Sequence, residues 1–401
     1  MTPSTLVAFT GFIARCARIQ STPADLYQAL CQTLLELHYP IWRSAMLMDT
    51  LDPEISSGRW IWSCDGSEKM QVTINPHSRD LSDLYERSPL KIVEETGKPL
   101  RIRLCSQSEA LPQERDLAAL PLLVELKEAG GTDYLILPLD FQEQRRRAAL
   151  SFSTRHQDGF TEEEIADLAL VASLISPVLE VRLQRLIIES LVSTYVGPQA
   201  GASILDGLIQ RGDGGRIRAA VLLGDLRGFT RLTEELETEA LLSIVNEFFE
   251  VVTAAAAERG GEVVHHIGDA ILIYFEIRDD RDEEAVCARA LAAAEATLAR
   301  LSEVNSRRRR TGEPEIHCGI GLDFGMMTHG NIGSRRRLSF NLLGMPVNRA
   351  ARIEELTKET GIALLMSADF ARRTGRPWQS LGPYQLKGVT GDIEIASLPQ
   401  T

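Results

Sequence analysis

Ala219-Ala220-Val221-Leu222-Leu223-Gly224-Asp225-Leu226-Arg227-Gly228-Phe229-Thr230 is the stretch that decides the fold. Its apolar run, Ala219 to Leu223, reads as a strand, and it delivers the carboxylate of Asp225 at the strand end. Gly228-Phe229-Thr230 then turns the chain into a helix, a place where backbone N–H groups are exposed to an anion. A second carboxylate, Asp269, follows 44 residues later in His265-His266-Ile267-Gly268-Asp269-Ala270. It sits in a tight turn between two apolar, largely β-branched runs, Val263-Val264 and Ile271-Leu272-Ile273. Two carboxylates at strand ends beside glycines supply what a pair of divalent ions needs. Such a pair clamps the attacking and leaving oxygens of a phosphoryl transfer.

Outward from these motifs the pattern alternates. A strand over Ala219 to Leu226 leads to a helix from Thr230 to about Glu258, then a hairpin over Glu262 to Phe275. A helix over Glu283 to Val304 and a strand over Glu315 to Asp323 follow. This βαββαβ order is the ferredoxin-like arrangement. A strand near Leu338 to Leu342, a helix from Pro346 to Lys358 and a strand over Ile362 to Met366 extend it. The predicted class is α/β (α+β).

Residues 1–190 read as a separate α/β unit. Helices are predicted over Leu6 to Arg18 and Pro23 to His38. Strands are predicted over Ala45 to Met48, Trp60 to Ser63, Met70 to Ile74, Tyr134 to Leu139 and Ala148 to Ser153. Thr161 and Glu164 form a capping box, with Phe160 and Ile165 as its hydrophobic staple, opening a helix towards Tyr195. The stripe Leu179, Leu183, Leu186, Ile187, Leu191 fits a two-helix seam between subunits, or a helix packed on its own domain. Residues 191–216 are predicted to be a linker, with Gly197-Pro198 breaking the helix and Arg211 to Arg216 rich in turn residues.

A net charge of −13 argues against a general nucleic-acid binder. Three arginine runs, 145–147, 307–310 and 335–337, lie beside predicted turns and read as solvated loops. Six scattered cysteines (16, 31, 64, 105, 287 and 318) form no Cys-x-x-Cys, so neither a zinc site nor a disulfide framework is expected. The longest uncharged apolar stretches, Thr2 to Ala14 and Leu168 to Leu179, are too short to span a bilayer. The first also lacks the basic flank of a signal peptide. A cytoplasmic protein with no membrane span is expected.

Asn348 and Arg352 lie in Gly344-Met345-Pro346-Val347-Asn348-Arg349-Ala350-Ala351-Arg352, at i and i+4 on one helical face. With the two aspartate motifs ahead of them, they make residues 215–395 resemble the catalytic domain of class III adenylate/guanylate cyclases of the bacterial type. The resemblance implies two Mg²⁺ or Mn²⁺ ions per site, held at Asp225, Leu226 and Asp269. Asn348 would orient the ribose and Arg352 would stabilise the α-phosphate as its charge builds. Gly228, Phe229 and Thr230 would contact the substrate, and Lys387, in Leu386-Lys387-Gly388, would reach the triphosphate. In this family the aspartates come from one subunit and the Asn/Arg pair from the other, so a homodimer is implied.

Two positions depart from the family pattern. The base-reading lysine four residues before the second aspartate is His265. The Asp or Thr seven residues before the asparagine is Asn341. His265 can donate to an adenine ring nitrogen and Asn341 can accept from the 6-amino group, so ATP is favoured and GTP is the alternative. A diguanylate cyclase, a nucleotide-binding regulatory dimer without turnover, and a pure sensor or scaffold are the rivals. Residues 20–185 resemble, more loosely, a GAF sensory domain, on Tyr134 to Phe141, Ala148 to Thr154 and Gly159 to Arg182. That implies a small-molecule or protein signal regulating the cyclase.

Overall fold

The computed structural model describes residues 3–18, 22–65, 70–77, 85–104, 120–142 and 147–399. It forms two compact units, Met1–Leu191 and Val192–Thr401. Cys105 and the first two arginines of the 145–147 run lie outside the described residues.

The first unit opens with helices α1 (Pro3–Arg18) and α2 (Pro23–Glu36). Thr22 caps α2 by accepting from the Asp25 amide, and the Asp25 carboxylate accepts from the Thr22 amide in return. Strands β1 (Arg43–Asp49), β2 (Ile55–Ser63) and β3 (Met70–Pro76) follow. Helix α3 (Pro89–Thr96), strand β4 (Leu100–Arg103) and helix α4 (Pro121–Glu128) come next, then β5 (Asp133–Pro138) and β6 (Ala148–Thr154). The six strands form one antiparallel sheet in the order β3-β2-β1-β6-β5-β4. On β1 every second residue is buried, which puts Met46 and Met48 into a core with Leu26, Leu30, Phe152 and Ile175. The long helix α5 (Glu162–Val196) starts at the expected Thr161/Glu164 box and runs through Pro177; the division between the units falls within it. The elements α3, β4 and α4 were not anticipated. Each is short, and α3 and α4 bury only one or two apolar side chains apiece from Val93, Leu123 and Leu126.

The second unit takes up most of what was expected to be a linker. Helix α6 (Pro198–Leu205) begins after Gly197, and strand β7 starts at Gly214, not Ala219, running to Leu226. Gly214 and Gly215 pair with Gly330 and His329, and an added Cβ at Gly214 would fall 2.1 Å from the His329 carbonyl oxygen. Glycine there extends the strand by close backbone approach instead of breaking it. The predicted helix from Thr230 to Glu258 is two helices, α7 (Phe229–Glu235) and α8 (Thr238–Ala257). They are separated by extended backbone at Leu236 and Glu237. The hairpin β8 (Glu262–Ile267) and β9 (Ala270–Glu276) and helix α9 (Glu283–Thr311) follow. Next come β10 (Cys318–Ser334), β11 (Arg337–Leu343), α10 (Met345–Thr360), β12 (Leu364–Ser367), α11 (Ala368–Arg373), β13 (Gln379–Tyr384) and β14 (Ile393–Ser397). Sheet order is β13-β14-β12-β10-β7-β9-β8, with β11 paired to β10. Its β10-β7-β9-β8 portion is the expected βαββαβ sheet, antiparallel throughout.

Both faces of β7 are covered, which is why its sequence is continuously apolar. Ala220 and Leu222 meet Ile244 and Phe248 of α8 and Val286 and Leu291 of α9, while Val221 and Leu223 meet Leu272, Leu342 and Ala350 on the other side. Among the described residues, helix Thr238–Ala257 alone is long and apolar enough to cross a membrane, and its Ile244, Phe248 and Val252 stripe lies in this core. The 307–310 arginine run is not loop: it is helical, in the last turns of α9. Arg308 there is buried, with its guanidinium 2.5 Å from Glu247 and 3.3 Å from Glu313. A basic last turn also complements the partial negative charge at the helix C-terminus. The 335–337 run does turn the chain, between β10 and β11.

Candidate active site

Asp225 is the penultimate residue of β7 and is flanked in the sheet by Ala270 of β9 and Gly319 of β10. Asp269 lies in the β8–β9 turn, made possible by Gly268 in the left-handed region at φ 64°. The Leu226 amide donates to the Asp269 carbonyl oxygen at 3.2 Å, tying the turn to the strand end. Burial raises the Asp269 carboxyl above its ordinary pKa, and the neighbouring charge of Asp225 raises it further. The turn that carries Asp269 thus lies beside the strand end that carries Asp225.

Two cations of the same chain occupy Asp225. Its Oδ2 lies 3.2 Å from Arg227 Nη1 and 3.0 Å from Lys358 Nζ. Arg227 also pairs with Glu354 at 2.7 Å. Glu354 is buried, and that burial, reinforced by Asp225, pushes its carboxyl up. The guanidinium fits because position 319 is glycine: a Cβ there would fall 1.5 Å from Arg227 Nη2. A Cβ at Gly321 would fall 2.2 Å from the Ala350 carbonyl oxygen, so glycine also lets α10 lie directly on β10.

This donor set fits divalent cations. Hard oxygen ligands converge at a strand end, and side-chain cations already take the position where positive charge is wanted. Among the described residues no group of three or more His, Cys, Asp or Glu side chains comes together. A divalent ion held by this carboxylate pair would take its further ligands from backbone, water or phosphate oxygens.

Gly228, at φ 72°, precedes α7, and its carbonyl accepts from the Leu232 amide at 3.0 Å. Phe229 packs on the core while Thr230 is exposed. Asn348 is exposed in the first turn of α10, and Arg352, one turn on, pairs with Glu355 at 2.6 Å. The helix is pinned beneath them by Arg349, whose guanidinium is ion-paired to the fully buried Asp323. Lys358, which reaches Asp225, is six residues beyond Arg352. At 100° per residue Arg352 is rotated by ~240° and displaced by ~9 Å along the axis from it. Arg352 therefore projects from a different face of α10 from Lys358.

His265 follows a bulge in β8 and lines a cavity of about 330 Å³ with Tyr195, Ile204, Ile209, Leu338 and Phe340. Its Nδ1 is buried without a partner, and burial lowers its pKa. His266 packs against Phe249 at 4.3 Å between ring centroids, so the tandem histidines part to different surroundings. Asn341 is half-buried opposite Gly330, and its Oδ1 accepts from the Leu342 amide at 2.8 Å. It does not line the His265 cavity, although its neighbour Phe340 does. Lys387 is exposed beside a turn closed by Val389 donating to Leu386 at 3.0 Å. Glu354 and Lys358 escaped sequence reasoning, and Arg227 was given no role. The available signal was Gly319 and Gly321, two glycines inside a strand.

Residues 217–396 match the family described as the adenylate and guanylate cyclase catalytic domain. The second unit carries a class III cyclase catalytic domain. Among curated relatives, an adenylate cyclase of Anabaena cylindrica is 31% identical over 160 residues, which are 40% of this chain and 31% of that protein. The uncharacterized protein MT1361 of Mycobacterium tuberculosis is 33% identical over 216 residues, 52% of this chain and 36% of that protein. The chain thus spans about a third of the length of these relatives. Among solved structures, the adenylyl cyclase CyaB of P. aeruginosa is 24% identical with a TM-score of 0.43, covering 47% of this chain and 96% of that one.

Proposed function

We propose that the chain is a nucleotidyl cyclase, a phosphorus–oxygen lyase that converts ATP to 3′,5′-cyclic AMP and pyrophosphate at sites shared by two copies of itself. The observation that supports this is that Asp225 and Asp269 lie together at one end of the sheet, within reach of Lys358 of α10, while Arg352 on the same helix pairs with Glu355. On this reading a single chain holds both halves of the chemistry without closing them on each other. A second copy related by a twofold axis supplies the missing half to each site.

Asp225, Asp269 and the Leu226 carbonyl would hold two Mg²⁺ or Mn²⁺. When bound, these supply activation of the ribose 3′-hydroxyl and neutralisation of phosphate charge. Asn348 of the second copy orients the ribose. Arg352 meets the charge that builds on the α-phosphate, from a helix fixed by the Arg349–Asp323 pair and so without reorganisation. His265, kept neutral by burial at neutral pH, can donate one hydrogen bond to the base, and Asn341 can accept from it. That pairing suits adenine, so ATP is preferred, and because neither residue sets a fixed charge GTP is turned over as a side activity. The helix–sheet–helix order of the first unit supports a GAF-like sensory role, with α5 leading into the catalytic unit.

Purified full-length protein incubated with ATP and Mn²⁺, with products separated, tests this. Cyclic AMP and pyrophosphate should form in equal amounts. Asp269→Asn should lower turnover by at least ~10³-fold without lowering the melting temperature. Nucleotide binding with no cyclic product would leave only a regulatory nucleotide-binding role.

A further inference from the structure

The two cations on Asp225 are not equivalent. Arg227 is mostly buried, pairs with buried Glu354 at 2.7 Å, donates to the Glu354 carbonyl at 3.4 Å and fills the space left by Gly319. Moving it would strand a buried carboxylate without a partner, which is strongly unfavourable. Lys358 sits at the last turn of α10 with 54% of its side chain exposed, and its ion partner is Asp225. An ammonium on a flexible four-carbon stem loses little on returning to water. A divalent ion entering the pair therefore meets Arg227 as a fixed wall and Lys358 as a removable occupant.

We propose that Lys358 gates the metal site. It holds Asp225 while no divalent ion is bound, yields Asp225 to the incoming ion, and then offers its ammonium to the substrate's polyphosphate. This rests on the metal role of Asp225 and Asp269 proposed above. The exchange is a substitution of one cation for another and needs no co-reactant. It couples the two ligands: phosphate that attracts Lys358 strengthens metal binding, and metal that frees Lys358 strengthens nucleotide binding. Loss of Lys358 therefore moves metal and nucleotide affinity in opposite directions.

The test is calorimetric titration of full-length protein with Mn²⁺ in the absence of nucleotide, on wild type, Lys358→Gln, Lys358→Arg and Asp225→Asn. Lys358→Gln should tighten Mn²⁺ binding by about threefold to tenfold, the range expected for a partly exposed ion pair, and Lys358→Arg should stay within about twofold of wild type. In turnover assays Lys358→Gln should raise KM for the metal–nucleotide complex while changing kcat less. Asp225→Asn should weaken Mn²⁺ binding at least about tenfold. If Asp225→Asn weakens binding but Lys358→Gln leaves it unchanged or weaker, the gate is overturned and the metal site stands. If Asp225→Asn has no effect on Mn²⁺ binding, the metal site itself is wrong and the gate falls with it. Lys358 is exposed at a helix end, so these substitutions should keep the fold, and melting curves recorded on the same samples check that.

Discussion

Asp323, fully buried on β10, holds the guanidinium of Arg349, the residue next to Asn348. Ser367 donates to the other Asp323 oxygen at 2.7 Å, and Arg349 also donates to the Phe324 carbonyl at 3.2 Å. The Asp323 carboxyl is pushed up by burial, with Arg349 opposing that push. This buried pair fixes the start of α10 against the sheet, and with it the residue assigned to the ribose.

Removing Arg349 leaves the fully buried Asp323 carboxylate without its cation, and removing Asp323 frees the partly exposed Arg349 guanidinium from the sheet. Arg349→Ala and Asp323→Ala should each destabilise the chain by about 3 kcal/mol, read from urea unfolding. Any Arg349→Ala protein that remains folded should lose kcat more than KM, because Asn348 is displaced in the transition state. Unfolding midpoints matching wild type would show that the pair does not anchor the helix.

The histidine pair predicts a pH dependence. Burial lowers the pKa of both His265 and His266, so the folded chain keeps them neutral where the unfolded chain takes up protons. The unfolded state then binds more protons, and stability rises with pH in the window beneath the unfolded value of about 6.5 and levels off above it. Asp269, Glu354 and Asp323 have raised pKa values and act in the opposite sense. Comparing wild type with the His265→Gln/His266→Gln double variant isolates the histidine contribution. Urea midpoints from pH 5.5 to 7.5 should rise less steeply in the variant; parallel slopes would refute it.

Base preference should respond to the two unconventional positions. His265→Lys with Asn341→Asp would install a fixed donor and a fixed acceptor for adenine. The ratio of kcat/KM for ATP over GTP should rise by about tenfold or more, since a polar site rejects a base that leaves its groups unpaired. A wild-type ratio favouring GTP would reverse the base assignment and leave cyclisation intact.

Much of this was legible in the chain because it is local. The apolar run into Asp225, the β-branched runs around Gly268-Asp269 and the periodicity of Asn348 and Arg352 each depend on neighbours within one element. The second unit's central βαββαβ order follows from the same local patterns. What was not legible is what joins distant elements. Arg227 and Glu354 meet across 127 positions of sequence, and helical periodicity places Lys358 on α10 without saying that its face meets Asp225. The arginines at 307–310 looked like solvent-facing loop by composition; the partner that makes Arg308 helical and buried, Glu247, lies on another helix. The glycines at 214 and 215 read as a turn because glycine's second use, close backbone approach, leaves no mark in a single strand's pattern.

The shared site is the central claim, and complementation tests it most directly. Asp225→Asn chains and Arg352→Ala chains, each inactive alone, are mixed in equal amounts, allowed to exchange subunits, and assayed for cyclic AMP with Mn²⁺. Random exchange puts half of the chains in mixed dimers, each with one intact site of two, so activity should return to about a quarter of wild type. Mixed dimers verified by differential tags and still inactive would contradict the account.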